Sequence, residues 1–201
     1  MSDNVVSAPR LNWRVVDMVT TAILGVACGL LFLIWNQVGG LGYDVLDAVT
    51  PGFGGLITGI WLIGGPIGGL IVRKPGAAIL VEVIAASVSA ALGSQWGIST
   101  LYSGLAQGLG AEIIFALFVY RRFSLTVAAL SGAGAGVGAW ILEFLAFGSM
   151  AKSFGFNITY FITLIISGAI AGLLAWLLVR GLAQTGALDR FAAGREVRTR
   201  V

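Results

Sequence analysis

Hydrophobic positions dominate this chain in long blocks, separated by brief polar or glycine-rich breaks. Six blocks are almost continuously apolar: residues 15–35, 51–72, 76–93, 99–120, 124–148 and 158–179. Each has the roughly 17–25 residues needed to cross the hydrocarbon core of a bilayer. The runs are continuous rather than alternating, so the pattern predicts helices and not the strands of a barrel. Pro66 falls inside the second block and predicts a bend there. Most breaks are short; the longer ones are 36–50, 149–157 and the end of the chain. The expected organisation is a segment 1–14, a six-helix membrane domain 15–180 and a tail 181–201.

Composition supports the same class. The chain is 58% hydrophobic and 10% charged, with a mean hydropathy of +0.96, whereas soluble domains carry about 25% charged residues. A water-solvated globule and an intrinsically disordered chain are both excluded. The sequence has no His and one Cys, Cys28, which excludes His-based triads, Cys–His nucleophiles, Cys₂His₂ zinc sites and an internal disulfide. No metal or cofactor is expected, and no G-x-x-x-x-G-K-[ST] loop is present, so any ATP-driven activity must be powered by another chain.

Lys and Arg predict the orientation. Of 12 such residues, Arg10, Arg14, Arg73, Lys74, Arg121, Arg122, Arg180, Arg190, Arg195, Arg198 and Arg200 fall on one side of the alternating spans, and Lys152 alone on the other. The positive-inside rule then places both termini in the cytoplasm of a plasma membrane. Arg10 and Arg14 precede an apolar run too long for a secretory signal and lacking a small-residue cleavage pattern before Trp35 and Asn36, so this run is read as a retained span. The Arg-rich tail reads as an orientation signal and a contact for anionic lipid, not as a nucleic-acid site.

The candidate chemistry is acidic. Glu82, Glu112 and Glu143, with Gln107, lie within spans that contain no Lys or Arg. A carboxylate at mid-membrane costs on the order of 2.5–3.5 kcal/mol, so each needs a reason. Either the groups are protonated and hydrogen-bonded to neighbouring helices, or a cation reaches them from outside. At about 1.5 Å per residue, Gln107 lies roughly 12 Å and Glu112 roughly 20 Å below the outer end of span four, and Glu143 about 8 Å below that of span five. Gln107, Trp140 and Glu143 are therefore expected to line an outward-open cavity with Glu112 at its floor. Glu82 either completes that floor or serves packing.

Trp35, Trp61, Trp96, Tyr102, Trp140 and Tyr160 all fall toward the outer half. Interfacial Trp and Tyr are ordinarily membrane-belt anchors, the reading given to Trp96, Tyr102 and Tyr160. Trp140, one turn from Glu143, is read as part of an acid-plus-aromatic site for a flat cationic heterocycle. Trp35, Trp61 and Tyr160 complete the candidate ligand set. The segment 36–50, with Asn36, Tyr43, Asp44 and Asp47 among glycines, is read as a loop closing over the ligand.

Small residues recur at spacings of four, which lets helix backbones approach. Gly132–Gly136, Gly134–Gly138 and Gly168–Gly172 are assigned to packing inside the bundle. Thr21, Gly25 and Gly29, with Ala22 alongside, are candidates for docking a partner helix.

Two segments carry a family resemblance. Arg73-Lys74-Pro75-Gly76-Ala77-Ala78, followed by Glu82 and Ala85-Ala86, resembles the cytoplasmic turn and third helix of the YkoE family. Gln107-Gly108-Leu109-Gly110-Ala111-Glu112, followed by Phe115-Ala116, is similar to the same family. The resemblance implies a high-affinity substrate-binding (S) component of an energy-coupling-factor (ECF) vitamin importer, for thiamin or its hydroxymethylpyrimidine precursor. It also implies partners: a transmembrane coupling (T) protein and ATP-binding cassette subunits. Where the family carries an Ala-x-x-x-Ala docking stripe on its first helix, this chain has Thr21, Gly25 and Gly29. Thiamin is the preferred ligand because its fixed positive charge answers the unpaired glutamates. The competing functions are a pyrimidine-binding S component, a carrier using Glu112 as a proton site, an intramembrane enzyme and a structural scaffold.

Overall fold

The computed structural model describes residues 11–198 and is all-helical. Arg10 and Arg200, two of the orientation-setting cations, lie outside the described residues. The elements are α1 (Val15–Val49), a 3-10 segment (Phe53–Leu62), α2 (Gly64–Val72), α3 (Ala77–Ala91), α4 (Ser99–Leu117), α5 (Leu125–Ala146), a 3-10 turn (Ser149–Ala151), α6 (Phe154–Gln184) and α7 (Ala192–Arg198). By length and apolarity, Val15–Val49, Phe53–Val72, Leu125–Ala146 and Phe154–Gln184 can cross a membrane; α3 is apolar but has only 15 residues. The protein is a multi-pass membrane protein.

Helices α1, α3, α4, α5 and α6 pack in that order, the 3-10 segment closes the ring between α6 and α1, and α2 runs through the middle in contact with all five helices. All nine residues of α2 are buried, which is why this stretch is apolar on every face. The expected single bent span at 51–72 is instead two pieces. A 3-10 segment packed on α6 and α1 gives way at Ile63 to the central α-helix. Pro66 sits in the first turn of α2, where a missing N–H is tolerated, so it helps to start a helix rather than bend one.

At nine residues, α2 extends only about 14 Å and fills one end of the ring. That end carries Arg14, Arg73, Arg121, Arg122 and Arg180. Toward the other end the chain moves out to the ring wall, and the axis is left hollow. The wall segment is held to α6 by Thr163 Oγ1 donating to the Gly52 carbonyl (2.8 Å) and Ser167 Oγ donating to the Gly55 carbonyl (2.8 Å). Gly59 lies so close to α6 that a Cβ would stand 2.8 Å from the Ser167 carbonyl. Glycines close the rest of the ring: Gly132 and Gly136 lie against α6, Gly168 and Gly172 against α5, and Gly110 against Gly134 of α5.

The segment 36–50 is not a loop. Helix α1 continues through it for 35 residues in all, about 52 Å. Val38, Leu41, Val45 and Val49 are exposed at helical spacing, while Asn36 and Tyr43 turn inward. The small-residue stripe of α1 also faces inward. A Cβ on Gly25 would lie 2.5 Å from Ile84 of α3, and one on Gly29 would lie 2.8 Å from the Ala85 carbonyl. Thr21 is buried, donating to the Asp17 carbonyl at 2.8 Å. Gly25 and Gly29 therefore pack against the molecule's own α3, Thr21 is buried on the same helix, and of the expected docking set only Ala22 is exposed. Beyond α6 the chain folds back: Leu188, Phe191 and Ala193 are buried, and Arg73 pairs with Glu196 (2.6 Å).

Candidate ligand pocket

The hollow above α2 is a cavity of about 540 Å³ walled by α1, the 3-10 segment, α3, α4 and the ends of α5 and α6, within the range typical of small-molecule sites. Its floor forms where α2 begins. Glu82 of α3 is fully buried and accepts the Gly65 N–H through Oε2. This places the carboxylate at the positive end of the α2 dipole, and a Cβ on Gly64 would stand 2.6 Å from the same oxygen. The other oxygen, Oε1, is buried with no protein partner, and so is Thr58 Oγ1; both residues line the cavity. A buried polar atom without a partner is costly, and here two such atoms belong to residues that line one cavity.

Above the floor runs a polar relay. Trp61 Nε1 donates to Asn36 Oδ1 (2.8 Å), and Asn36 Nδ2 donates to Ser89 Oγ (3.1 Å). Three helical elements are tied at this level, with Gln107 on the facing wall. Trp61 meets Trp96 edge-on with ring centroids 5.3 Å apart, and Tyr43 meets Tyr160 edge-on at 6.3 Å. Asp44 and Glu143 also line the cavity. Its wall thus holds Asp44, Glu82 and Glu143 and, among the described residues, no Lys or Arg. Lys152 is nearby but sits over the Phe156 ring (3.9 Å) and 3.9 Å from Asp47.

Of the residues expected at a ligand site, the structure brings together Gln107, Glu143, Glu82, Trp61, Asn36 and Tyr160. Three do not reach the cavity. Glu112 lies five residues beyond Gln107, about 7.5 Å toward the arginine-bearing end. It accepts the N–H groups of Gly76 (2.8 Å) and Ala78 (2.9 Å) and the Tyr120 hydroxyl (2.7 Å). It is therefore not the floor of the cavity. Trp140 turns toward α6, donating to the Asn157 carbonyl (3.3 Å) and stacking on Phe144 at 4.9 Å. Trp35 donates to the Ile57 carbonyl (3.1 Å) and secures the 3-10 segment to α1.

Sequence reasoning missed Thr58, Ser89 and the inward role of Trp96. A hydroxyl in an apolar run carries little signal by itself. Trp96 does carry one, because it stands between Gly93 and Gly97, whose φ of 99° and 54° mark a tightly turned connection.

A ring of membrane helices around a blind polar cavity is the architecture of a substrate-binding component of a membrane transporter. A solved structure described as the crystal structure of an S-component of an ECF transporter aligns with a TM-score of 0.86 and 34% identity, covering 94% of this chain and 95% of that one. The family model for the permease component of an ABC-type cobalt transport system matches residues 16–138. The putative HMP/thiamine permease protein YkoE of Bacillus subtilis (strain 168) is 34% identical over 190 residues, 93% of each chain. The chain belongs to the YkoE family of ECF S components.

Proposed function

We propose that this protein binds thiamin in the cavity above α2 and presents it to an ATP-driven importer. The observation that carries this reading is the wall of the cavity, with its three carboxylates and, among the described residues, no basic side chain. A permanently cationic ring supplies the charge this wall lacks, and the Trp61–Trp96 pair offers aromatic surface for it. The aminopyrimidine half of thiamin brings N–H donors suited to the unpartnered oxygen of Glu82. The name of the Bacillus subtilis relative, an HMP/thiamine permease, agrees with this ligand class.

The same reading assigns the arginine-bearing end to the cytoplasm and the cavity mouth to the outside, with six spans and both termini inside. Residues 1–14 and 181–201 are then cytoplasmic. The energy comes from a T protein and ATP-binding cassette subunits, because the chain has no nucleotide-binding loop of its own. A proton-coupled carrier working through Glu112 is disfavoured, since that carboxylate is occupied by two backbone N–H groups and a phenol.

The competing occupant is the neutral pyrimidine precursor, which would engage Glu82 and leave Asp44 and Glu143 uncompensated. Isothermal titration of detergent-purified protein with both compounds decides between them. Thiamin is expected to bind at least tenfold more tightly, about 1.4 kcal/mol, and tighter binding of the precursor overturns the assignment.

A further inference from the structure

We infer that Glu112 is a positioning residue: from outside the cavity it sets the axial register of α3 against α4, and with it the height of Glu82 opposite Gln107. The inference rests on the reading of Glu82 as a ligand contact. Glu112 reaches from α4 to the first turn of α3 and accepts the N–H groups of Gly76 and Ala78, groups that α3 cannot satisfy internally. Its Oε1 also receives the Tyr120 hydroxyl. One buried carboxylate thereby joins the α2–α3 turn, the body of α4 and the α4–α5 turn.

Between this clamp and the cavity the two helices touch through glycine. A Cβ on Gly108 would stand 2.9 Å from Ile79 Cα and 3.1 Å from Glu82 Cβ, and one on Gly104 would stand 3.1 Å from the Glu82 carbonyl. Interdigitating side chains normally fix how one helix sits along another. The Ala86 methyl seats at Gly104, but at Gly104 and Gly108 no side chain of α4 reaches into α3 beside Glu82, so the ends share that task. At the cavity end it falls to the short connection between the helices, where the Ser94 and Thr100 hydroxyls share a hydrogen bond of 3.1 Å. At the other end it falls to Glu112. Glu82 lies six positions beyond Gly76, so any slip of the first turn is carried along a stiff helix to the carboxylate.

Backbone strain marks the same place. Among the described residues, the non-glycine residues with left-handed φ are Arg73 (56°), Val119 (53°) and Tyr120 (52°). All three lie in the two turns that Glu112 joins. This conformation is costly, most of all for a β-branched residue such as Val119. The turn at 119–120 is the one that brings the Tyr120 hydroxyl back to Glu112. The Arg73 guanidinium lies over Phe123 at 4.3 Å, a second link between the same turns. A ligand contact must be held to within about 0.5 Å, which gives this distant clamp its purpose.

The test is a double-mutant cycle on thiamin affinity by isothermal titration, in which stoichiometry reports the folded fraction and the dissociation constant reports the pocket. Glu112→Gln keeps one acceptor and loses the other. Tyr120→Phe removes a single hydrogen bond and is the milder variant should the first fold poorly. Tyr120→Phe is expected to weaken binding about fivefold, and Glu112→Gln about tenfold or more. In the Glu82→Gln background each ratio should fall below about twofold, because the group being positioned is gone. Equal ratios in both backgrounds, or no loss from either variant in the parent, overturn this inference alone. A Glu82→Gln protein that binds thiamin as tightly as the parent overturns both this inference and the ligand-contact reading beneath it.

Discussion

Replacing Glu82 by Gln isolates the chemistry of the cavity floor. The side chain is fully buried beside the cavity, with Oε2 taken by the Gly65 N–H and Oε1 buried without a partner. Glutamine is nearly isosteric, and its carbonyl can keep the Gly65 bond, so the start of α2 should be preserved. What changes is the group beside the ligand, which turns from a carboxyl oxygen into an amide donor. A hydrogen bond to a charged group contributes about 1.5–3 kcal/mol, so thiamin affinity should fall by roughly 10- to 150-fold. Glu143 is only half-buried at the cavity's upper wall. Glu143→Gln should cost about 1 kcal/mol or less, around fivefold, because water and salt screen that site. Titration of both variants at low salt and at 1 M NaCl separates the two. The Glu143 effect should shrink with salt and the Glu82 effect should persist. A Glu82→Gln protein within threefold of the parent, or one less affected than Glu143→Gln, refutes the assignment of the floor as the principal contact.

Tryptophan emission should report occupancy: thiamin should quench the parent, with the quench reduced in Trp61→Phe and Trp96→Phe and unchanged in Trp35→Phe, which lies off the cavity. Gly132→Val and Gly168→Val would drive side chains into the facing backbone of α6 and α5. Both should abolish a monodisperse peak in size-exclusion chromatography, since overpacking with no room to relax costs several kcal/mol. On α1, Gly25→Leu should likewise prevent folding by colliding with Ile84. Ala22→Trp, on the exposed side of the same helix, should leave thiamin affinity unchanged and, if that side meets the T protein, abolish uptake by cells expressing the whole importer. Arg73→Ala loses the pair with Glu196, whose side chain is 60% exposed. It should lower stability by no more than about 1 kcal/mol, visible as a small thermal shift.

Membrane residence, the helical class, the approximate positions of the apolar helices and the presence of acidic residues among them were all legible in one dimension. They reflect the solvent each residue meets, and a residue's own polarity reports that solvent. The glycine spacings of α5 and α6 belong here too, because close backbone approach needs small residues whatever the partner. Even the missed helix at 36–50 left a trace in the recurrence of Val38, Leu41, Val45 and Val49.

Only the tertiary structure decided which way each polar group points. Depth along a helix follows from counting residues, but direction around it depends on neighbours brought in from elsewhere in the chain. Glu82 and Glu112 look alike in sequence. The first turns out to face a hollow, because α2 begins beside it and leaves the axis empty above. The second faces the unsatisfied N–H groups of α3, which its own helix could not announce. Trp140 and Trp35 were diverted in the same way, by the Asn157 and Ile57 carbonyls supplied from other elements. The hollow itself has no local signature, since it exists where a central helix stops short and five others do not.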